Sequence, residues 1–598
     1  MPQHKRIAVI DRELCNPRVC GHYLCQRVCP VNRSKKECIT VSDDDKKPHI
    51  DESLCIGCGI CVMKCPRKAI SVVNLPEKLD EPPMHRYGRN GFSLFRLPFP
   101  RKGSVTALIG PNGVGKSTVM NILSGNMKPN SGDISAGTGW EQIISRFKGT
   151  ELQDYMSALS RKGIRASYKP QHVDLIPGMY KGRVHKTLEK MAPKKRVKEV
   201  AASLGIEEMM NKEIADLSGG ELQMFAIAGA FLKGADFYFF DEPSSYLDVR
   251  ERLRAAREIR KLTESAVVMV VEHDLAVADY LADNTHILYG KPGVFGIVSV
   301  PYGVRTGINT FLEGYIREEN VRFREEPIHF SKTAKPSMKG EVIMEFPAME
   351  KRFGRSFRLK TEPGKLHKGE IVGILGPNAI GKTTFIRMLT GDIEPDSKDV
   401  PGTKDLELSY KPQRLVMEKA NETMLVLDFL KAASGKKSLA KEDKRVMRNL
   451  GLEKLAEKTM KNLSGGELQA CFIAAALIKE CDIMLLDEPS AFLDAEQRLN
   501  AARLIKERAE GREMPCFVVD HDLQFIDAVS DRVIVFSGEK GVEGEASSPT
   551  SLRDGMNSFL KSLDITFRRD PLTGRPRANK PDSQKDKEQR DKGEYYYA

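Results

Sequence analysis

Across 598 residues the chain has no uninterrupted apolar run approaching the roughly 18–20 residues needed to cross a bilayer. Its longest such stretch, "SAVVMVVEHD" (265–274), reads as a buried strand. The N-terminal "MPQHKRIAVIDREL" lacks the apolar core and small-residue cleavage pattern of a secretory leader. A soluble, cytoplasmic protein with no membrane partner is therefore expected. Cysteine is scarce over most of the chain, with three of the 12 beyond residue 65. The other nine crowd into the first 65 residues, and without a leader that spacing argues for metal rather than disulfides. No flavin or nicotinamide motif accompanies them, which leaves no internal electron donor. Nor is there an acidic excess: the formal net charge is +12, which favours an anionic partner such as nucleic acid.

What is present is an internal repeat. "ALIGPNGVGKSTVMNILSG" (107–125) returns as "GILGPNAIGKTTFIRMLTG" (373–391). "YKPQ" recurs at 168–171 and 410–413, and "LSGGELQ" at 217–223 and 463–469. "FFDEPSSYLD" (239–248) matches "LLDEPSAFLD" (485–494), and "VEHDL" (271–275) matches "VDHDL" (519–523). The offset falls from 266 residues (Lys116 to Lys382) to 246 (Ser218 to Ser464), so the first copy carries extra residues between those motifs. The Gln171–Gln413 pair places the excess before Gln171, at 140–165. There the spacing predicts two short helices, one with Ile143, Ile144 and Phe147 on a face, the other with Leu152, Tyr155, Met156 and Leu159. Thr150 and Gln153 are placed for a capping box on the second. Arg146, Lys148, Arg161 and Lys162 surround these stripes. The competing readings are a surface decoration and a partner contact, and an added hairpin in one copy favours the second. A weaker repeat, 307–327 and 555–571, mixes apolar stripes with arginines and is expected to pack between the copies. The charge-rich residues after 579 are expected to be a mobile tail.

Two loops fit G-x4-G-K-[ST]: Gly110, Pro111, Asn112, Gly113, Val114, Gly115, Lys116, Ser117 and Thr118, and Gly376, Pro377, Asn378, Ala379, Ile380, Gly381, Lys382, Thr383 and Thr384. Each follows a strand-like run and opens a helical pattern, so its N–H groups converge on phosphate oxygens at a helix N-terminus. Lys116 and Lys382 are expected at the β- and γ-phosphates, with Ser117 and Thr383 on Mg2+. Asp241 and Asp487 end apolar runs and are expected to hold Mg2+. Glu242 and Glu488, one residue on, suit general bases for the attacking water. Gln171 and Gln413 can sense the γ-phosphate, and His273 and His521 can contact it.

"LSGGE" carries the resemblance. Over roughly 83–564 the chain resembles the ABC-type ATPases, whose cassettes pair head to tail and sandwich each ATP between one phosphate loop and the other cassette's signature. The resemblance implies one site of Lys116, Ser117, Asp241, Glu242 and His273 with Ser464, Gly465 and Gly466. The other joins Lys382, Thr383, Asp487, Glu488 and His521 with Ser218, Gly219 and Gly220. Asp248 and Asp494 are implied to lie at the seam. An aromatic against adenine is implied about 25 residues before each lysine, with Tyr87 or Phe92 and Phe353 or Phe357 as candidates. Asp520 stands where the first copy has Glu272, and unequal rates at the two sites are expected from it.

Cys55-x2-Cys58-x2-Cys61-x3-Cys65-Pro66 matches the bacterial two-cluster ferredoxin run, and Cys15-x4-Cys20-x4-Cys25-x3-Cys29-Pro30 is a stretched partner. In such runs the fourth cysteine ligates the other cluster. Two [4Fe–4S] clusters follow: Cys15, Cys20, Cys25 and Cys65 on one, Cys55, Cys58, Cys61 and Cys29 on the other. Cys38 is left over and expected to be dispensable. Zinc is the competing reading.

The expected fold is α/β: an iron–sulfur domain (1–80), a first cassette (81–305), a linker (306–340), a second cassette (341–550), and a second hinge segment with its tail (551–598). This combination resembles ABC subfamily E, the ribosome-recycling ATPases also called the RNase L inhibitor family. The resemblance implies ATP-driven splitting of ribosomes after termination, then residence on the small subunit. Implied partners are small-subunit rRNA and ribosomal proteins, a release-factor-like protein and initiation factors, engaged by a monomer. A transporter-energising subunit and a cluster-bearing DNA-repair ATPase are the alternatives. The first has no use for clusters, and the second usually carries long coiled-coil insertions that are missing here.

Overall fold

The computed structural model describes all residues except 1–5, 43–45, 77–78, 80, 135–137, 329, 331–339, 355–356, 398–406, 416, 418 and 597–598. Part of the expected linker (306–340) and part of the tail thus fall outside the described residues.

Short β-branched runs pair first. Arg6–Ile10 lies antiparallel to Ile70–Asn74, and Ile39–Val41 to Pro48–Ile50. Around them sit the one- to two-turn helices Leu24–Val28, Pro30–Arg33 and Ile60–Lys64, each beginning or ending beside a cysteine of the two runs. This small domain is fastened to the first cassette through Asn90, which is buried: its amide donates to Ala8 O (3.0 Å) and Ile50 O (2.9 Å) and accepts from Ile50 N–H (2.8 Å). Glu52 accepts from Ala8 N–H (2.8 Å) and from Arg86 Nη1 (3.0 Å).

The two cassettes have the same nine-stranded sheet. In the first, Asn284–Lys291, Val105–Ile109, Val267–Val271, Phe237–Asp241 and Ala166–Lys169 are neighbours in a parallel array. In the second, Arg532–Glu539, Ile371–Leu375, Cys516–Val519, Ile483–Asp487 and Leu408–Lys411 repeat that order. Central strands such as Val105–Ile109 and Val267–Val271 are buried at every position, as continuous apolar runs in a two-face-covered parallel sheet must be. Each phosphate loop leaves the carboxyl end of a central strand, where parallel sheets open their ligand crevice.

The insertion forms two helices, Trp140–Ser145 and Glu151–Ser160. Their apolar stripes are not left for a partner. Ile143, Leu152, Tyr155, Met156 and Leu159 are buried in the cassette's own core, and the Tyr155 ring meets Phe237 edge-on at 4.8 Å. The expected capping box does not form: the Thr150 hydroxyl donates to Phe147 O and Gln153 Oε1 accepts from Gly149 N–H, because the chain turns tightly between the helices. Arg146 is also spent internally, donating to Pro82 O and Pro83 O, so Lys148, Arg161 and Lys162 remain as the exposed cations.

The arginine-bearing segments do lie between the cassettes. Pro576–Ala578 pairs with Phe567–Arg569 and rests against the helix Leu275–Leu281 of the first cassette and Leu523–Val529 of the second. Arg577 grips Asp279 with two nitrogens (2.6 and 2.8 Å), Arg575 adds a third contact at 3.1 Å, and Gln524 of the second cassette donates to Pro576 O (2.9 Å). Arg305 reaches Asp570 at 2.9 Å. The described part of the tail is ordered, against expectation. Gln584–Asp591 is a helix, and Tyr596 is 2% exposed with its hydroxyl on Asp527, which also binds Arg569 at 2.8 Å. Charge-rich composition hid this because a single buried tyrosine and a few specific ion pairs anchor the segment.

Tyr596→Ala is accordingly expected to lower the unfolding temperature and to open 584–591 to protease, since it removes a buried ring and a hydroxyl bound to a buried carboxylate. Mass spectrometry of limited digests checks this, and an unchanged cleavage pattern would refute it.

Candidate nucleotide sites and cysteine pockets

Each phosphate loop is a cradle with little room for side chains. A Cβ on Gly110 would sit 2.3 Å from Leu288 O, and one on Gly115 2.8 Å from Phe92 Cζ. Val114 and Ile380 are fully buried, each packed into its own cassette's core. Ala379 adopts φ 54°, the left-handed region that glycine, as at Gly113, occupies without strain. Lys116 Nζ donates to Gly110 O (2.9 Å) and Pro111 O (2.8 Å), and Lys382 repeats this with Gly376 O (2.9 Å) and Pro377 O (2.6 Å). Burial pushes both lysines down, Lys382 to about 8, against the pull of nearby carboxylates.

The acidic strand ends meet these loops. The Ser117 hydroxyl donates to Asp241 and the Thr383 hydroxyl to Asp487, each at 3.1 Å, which is the oxygen donor set that suits Mg2+. Burial and the adjacent glutamate push Asp241 up and Asp487 up to about 6. Glu242 and Glu488 behave oppositely. Burial alone would raise them, but the facing histidine, the loop lysine and, at Glu242, the Ser245 hydroxyl outweigh it and hold both carboxyls at about 2. Both glutamates sit at φ 49°, a strained conformation for a non-glycine residue. Gln171 donates to Glu242 (2.6 Å) and Gln413 to Glu488 (2.7 Å). His273 Nε2 is 3.3 Å from Glu242 and His521 Nε2 3.5 Å from Glu488, yet neither buried nitrogen makes an aligned hydrogen bond.

Phe92 and Phe357 lie beneath the last loop glycine, so they buttress the cradle; Tyr87 and Phe353 beside them are exposed. Sequence reasoning overlooked several supports. Lys169 binds the carbonyls of Asp241 and Glu242, and Lys411 those of Asp487 and Glu488. Gln223 and Gln469, at the end of "LSGGELQ", donate to Glu242 O (2.6 Å) and Glu488 O (2.7 Å). All four recur in the repeated motifs, a signal available in the sequence. Glu272 and Asp520 do the same work: each accepts from the backbone and hydroxyl of the serine after "DEP", Ser244 at 3.0 and 2.8 Å, Ser490 at 2.9 and 2.7 Å. The geometry gives no reason for this pair to make the sites unequal.

The cassettes face head to tail. Asp248 Oδ2 accepts from Asn378 N–H and Asp494 Oδ2 from Asn112 N–H, both at 3.0 Å. Tyr246 and Phe492 meet edge-on across the seam at 5.8 Å, each against the signature glycine of its own cassette, Gly219 and Gly465. Ser218 and Ser464 cap their signature helices in full capping boxes.

In the N-terminal domain Cys15, Cys20, Cys25 and Cys65 line one pocket, and Cys29, Cys55, Cys58 and Cys61 line another. These are the two sets read from the spacing. Four thiols per pocket is the ligand number that a [4Fe–4S] cluster takes, and also that of a structural zinc. Cys38 lines the second pocket too, fully buried.

Glu242→Gln and Glu488→Gln are each expected to lower hydrolysis at their own site by roughly 10²- to 10⁴-fold while nucleotide binding persists. Single-turnover assays with trapped ATP check this, and wild-type rates would overturn the assignment.

Residues 100–245 and 359–491 match the family described as "ABC transporter", residues 48–71 "4Fe-4S binding domain", and residues 6–37 "Possible Fer4-like domain in RNase L inhibitor". An "Uncharacterized ABC transporter ATP-binding protein" of Methanocaldococcus jannaschii is 49% identical over 99% of this chain and 97% of its own. "Translation initiation factor RLI1" of Saccharomyces cerevisiae is 43% identical over 100% of this chain and 98% of its own. The solved structure titled "Model of ribosome-bound archaeal Pelota and ABCE1" contains a chain 50% identical, superposing with TM-score 0.93 over the full length of both. With iron–sulfur sequences ahead of two ATP-hydrolysing cassettes, the chain belongs to ABC subfamily E, the RNase L inhibitor family.

Proposed function

We propose that this chain splits ribosomes into subunits after termination and then stays on the small subunit, working as a cytoplasmic monomer. Full-length likeness to a ribosome-bound relative, and to one named for translation initiation, supports the ribosome as partner, with a release-factor-like protein beside it. Among the described residues no helix is long and apolar enough to cross a membrane. The observation that carries the reading is mechanical. Asn90 and the Glu52–Arg86 pair bind the small domain to the first cassette, so any closing of the cassettes moves that domain with it.

In this reading each ATP lies between one phosphate loop and the opposite signature. Lys116 or Lys382 and the loop N–H groups hold its phosphates, while the exposed ring of Tyr87 or Phe353 would meet adenine. Mg2+ held by Ser117 and Asp241, or Thr383 and Asp487, would neutralise the transferring phosphoryl group. Glu242 and Glu488 orient water and accept its proton; His273 and His521 donate toward the phosphate. Neither half-site is complete, so binding closes the seam and hydrolysis reopens it. Two [4Fe–4S] clusters, one per cysteine pocket, would brace a domain of about 80 residues that is too small for a large core. Their chemistry is structural, and the cysteines provide the brace.

Purified ribosomes incubated with the protein, ATP and a release factor are expected to separate into subunits on a sucrose gradient; intact ribosomes would overturn the reading. Because the insertion's apolar stripe belongs to the core, its contact role is tested by charge reversal. Lys148→Glu, Arg161→Glu and Lys162→Glu together are expected to weaken small-subunit binding and flatten its salt dependence, without loss of ATP binding. Iron and acid-labile sulfide near eight each per chain, retained in Cys38→Ala, are expected on the two-cluster assignment. Two zinc ions per chain would refute it.

A further inference from the structure

The two seams share most of their parts, and one of the differences between them lies at a helix cap. In the first cassette the helix Val249–Lys261 starts with a capping box of Asp248 and Glu251; in the second the helix Ala495–Gly511 starts with Asp494 and Gln497. Both boxes close alike: Asp248 N–H on Glu251 Oε2 (3.3 Å) and Asp494 N–H on Gln497 Oε1 (3.1 Å). A carboxylate is therefore not needed for the cap, because the glutamine performs it. The extra charge of Glu251 has another use. Its Oε1 accepts from Lys540 Nζ of the second cassette at 2.9 Å.

Lys540 lies in the turn joining Arg532–Glu539 to Glu543–Ala546, and the next residue, Gly541, donates its N–H to Ala379 O of the phosphate loop (3.1 Å). The equivalent turn of the first cassette donates Gly293 N–H to Gly113 O (2.9 Å). Aligning Gly290 with Gly538 and Gly293 with Gly541 puts Pro292 opposite Lys540. One seam thus carries Lys540 with Glu251, and the other carries Pro292 with Gln497, which cannot form an ion pair. The adjoining position does not compensate. Lys291 and Lys454 come within electrostatic reach at one seam, and the equivalent residues at the other, Glu539 and Glu208, are also alike in sign.

We propose that Lys540 and Glu251 are positioning residues that clamp one composite nucleotide site, the loop of Lys382 against the signature Ser218–Gly220, so that it holds nucleotide longer than its twin. Glu251 stands where such a clamp must act. Its Oε2 is 3.7 Å from where a Cβ on signature Gly220 would lie, and its cap partner Asp248 holds Asn378 of the same loop. The pair locks the loop and the opposing signature together from one side. This rests on the sandwich reading of the two sites given above.

The test is release of labelled ATP from the Glu242→Gln, Glu488→Gln protein, in which both sites are arrested. Two phases are expected, each about one nucleotide per chain. Glu251→Gln, which keeps the cap, and Lys540→Ala are each expected to quicken only the slow phase, about two- to fivefold, and the double variant no further. Added salt should quicken the slow phase of the parent and not that of the variants. Pro292→Lys with Gln497→Glu should slow the fast phase. A slow phase indifferent to both substitutions, or equal changes in both phases, would overturn the clamp. Gly219→Asp should abolish the slow phase. Its survival would overturn the sandwich reading and the clamp with it, whereas its loss alongside an unaltered Lys540→Ala overturns the clamp alone.

Discussion

Two aspartates organise the molecule. Asp248 and Asp494 each use one carboxylate oxygen to start a helix in their own cassette and the other to accept a backbone N–H from the opposite phosphate loop. Cap and seam are thus one interaction: the group that fixes where a helix begins also reports whether the other cassette is in place. Around the pseudo-twofold axis the pattern continues. Arg252 binds Asp274 and Arg498 binds Asp522, each at 2.8 Å, and Arg252 also reaches His521 O across the seam. Asp274 and Asp522 are the N-caps of the helices that directly follow the two histidines. Buried charges of this kind are costly unless paired, and each pair is met within its own cassette, with Arg252 alone of the four reaching across.

The hinge segments extend that logic. Asp279 and Asp527 lie on those same two post-histidine helices, and the residues between Phe567 and Tyr596 answer both. The seam is therefore held at one end by the phosphate loops and at the other by a strand pair inserted between the cassettes. Among the described residues, the hydrogen bonds of Asn90 and Arg86 tie the small cysteine domain to the first cassette. That attachment separates the part that closes from the part that is carried.

Much of this was legible in the sequence, because repetition multiplies weak signals. A single histidine after an apolar run means little, but His273 and His521 at the same place in two copies mark a site. Cysteine spacing was enough to sort eight thiols into the two pockets they line. What escaped was whatever depends on a third dimension. The insertion's apolar stripe was legible as helical, but not that Tyr155 would face Phe237 instead of a partner. Tail composition is polar, and one tyrosine among charges gives no periodicity to read. The Glu272–Asp520 difference looked like a functional change, yet each carboxylate binds the backbone and hydroxyl of the equivalent serine. Conversely, Glu251 and Gln497 look like a conservative exchange, and only the approach of Lys540 from the other cassette gives it meaning.

The placement of the bridging strands has a consequence for how the molecule is made. Residues 564–596 follow both cassettes in the chain, so synthesis delivers them after each cassette has had its own sheet completed. Until then Asp279 and Asp527, buried in the finished protein, have no arginines to answer them. Each cassette is thus left with an unmet charge on its pairing face. The last segment to be synthesised therefore brings the partners of both carboxylates at once.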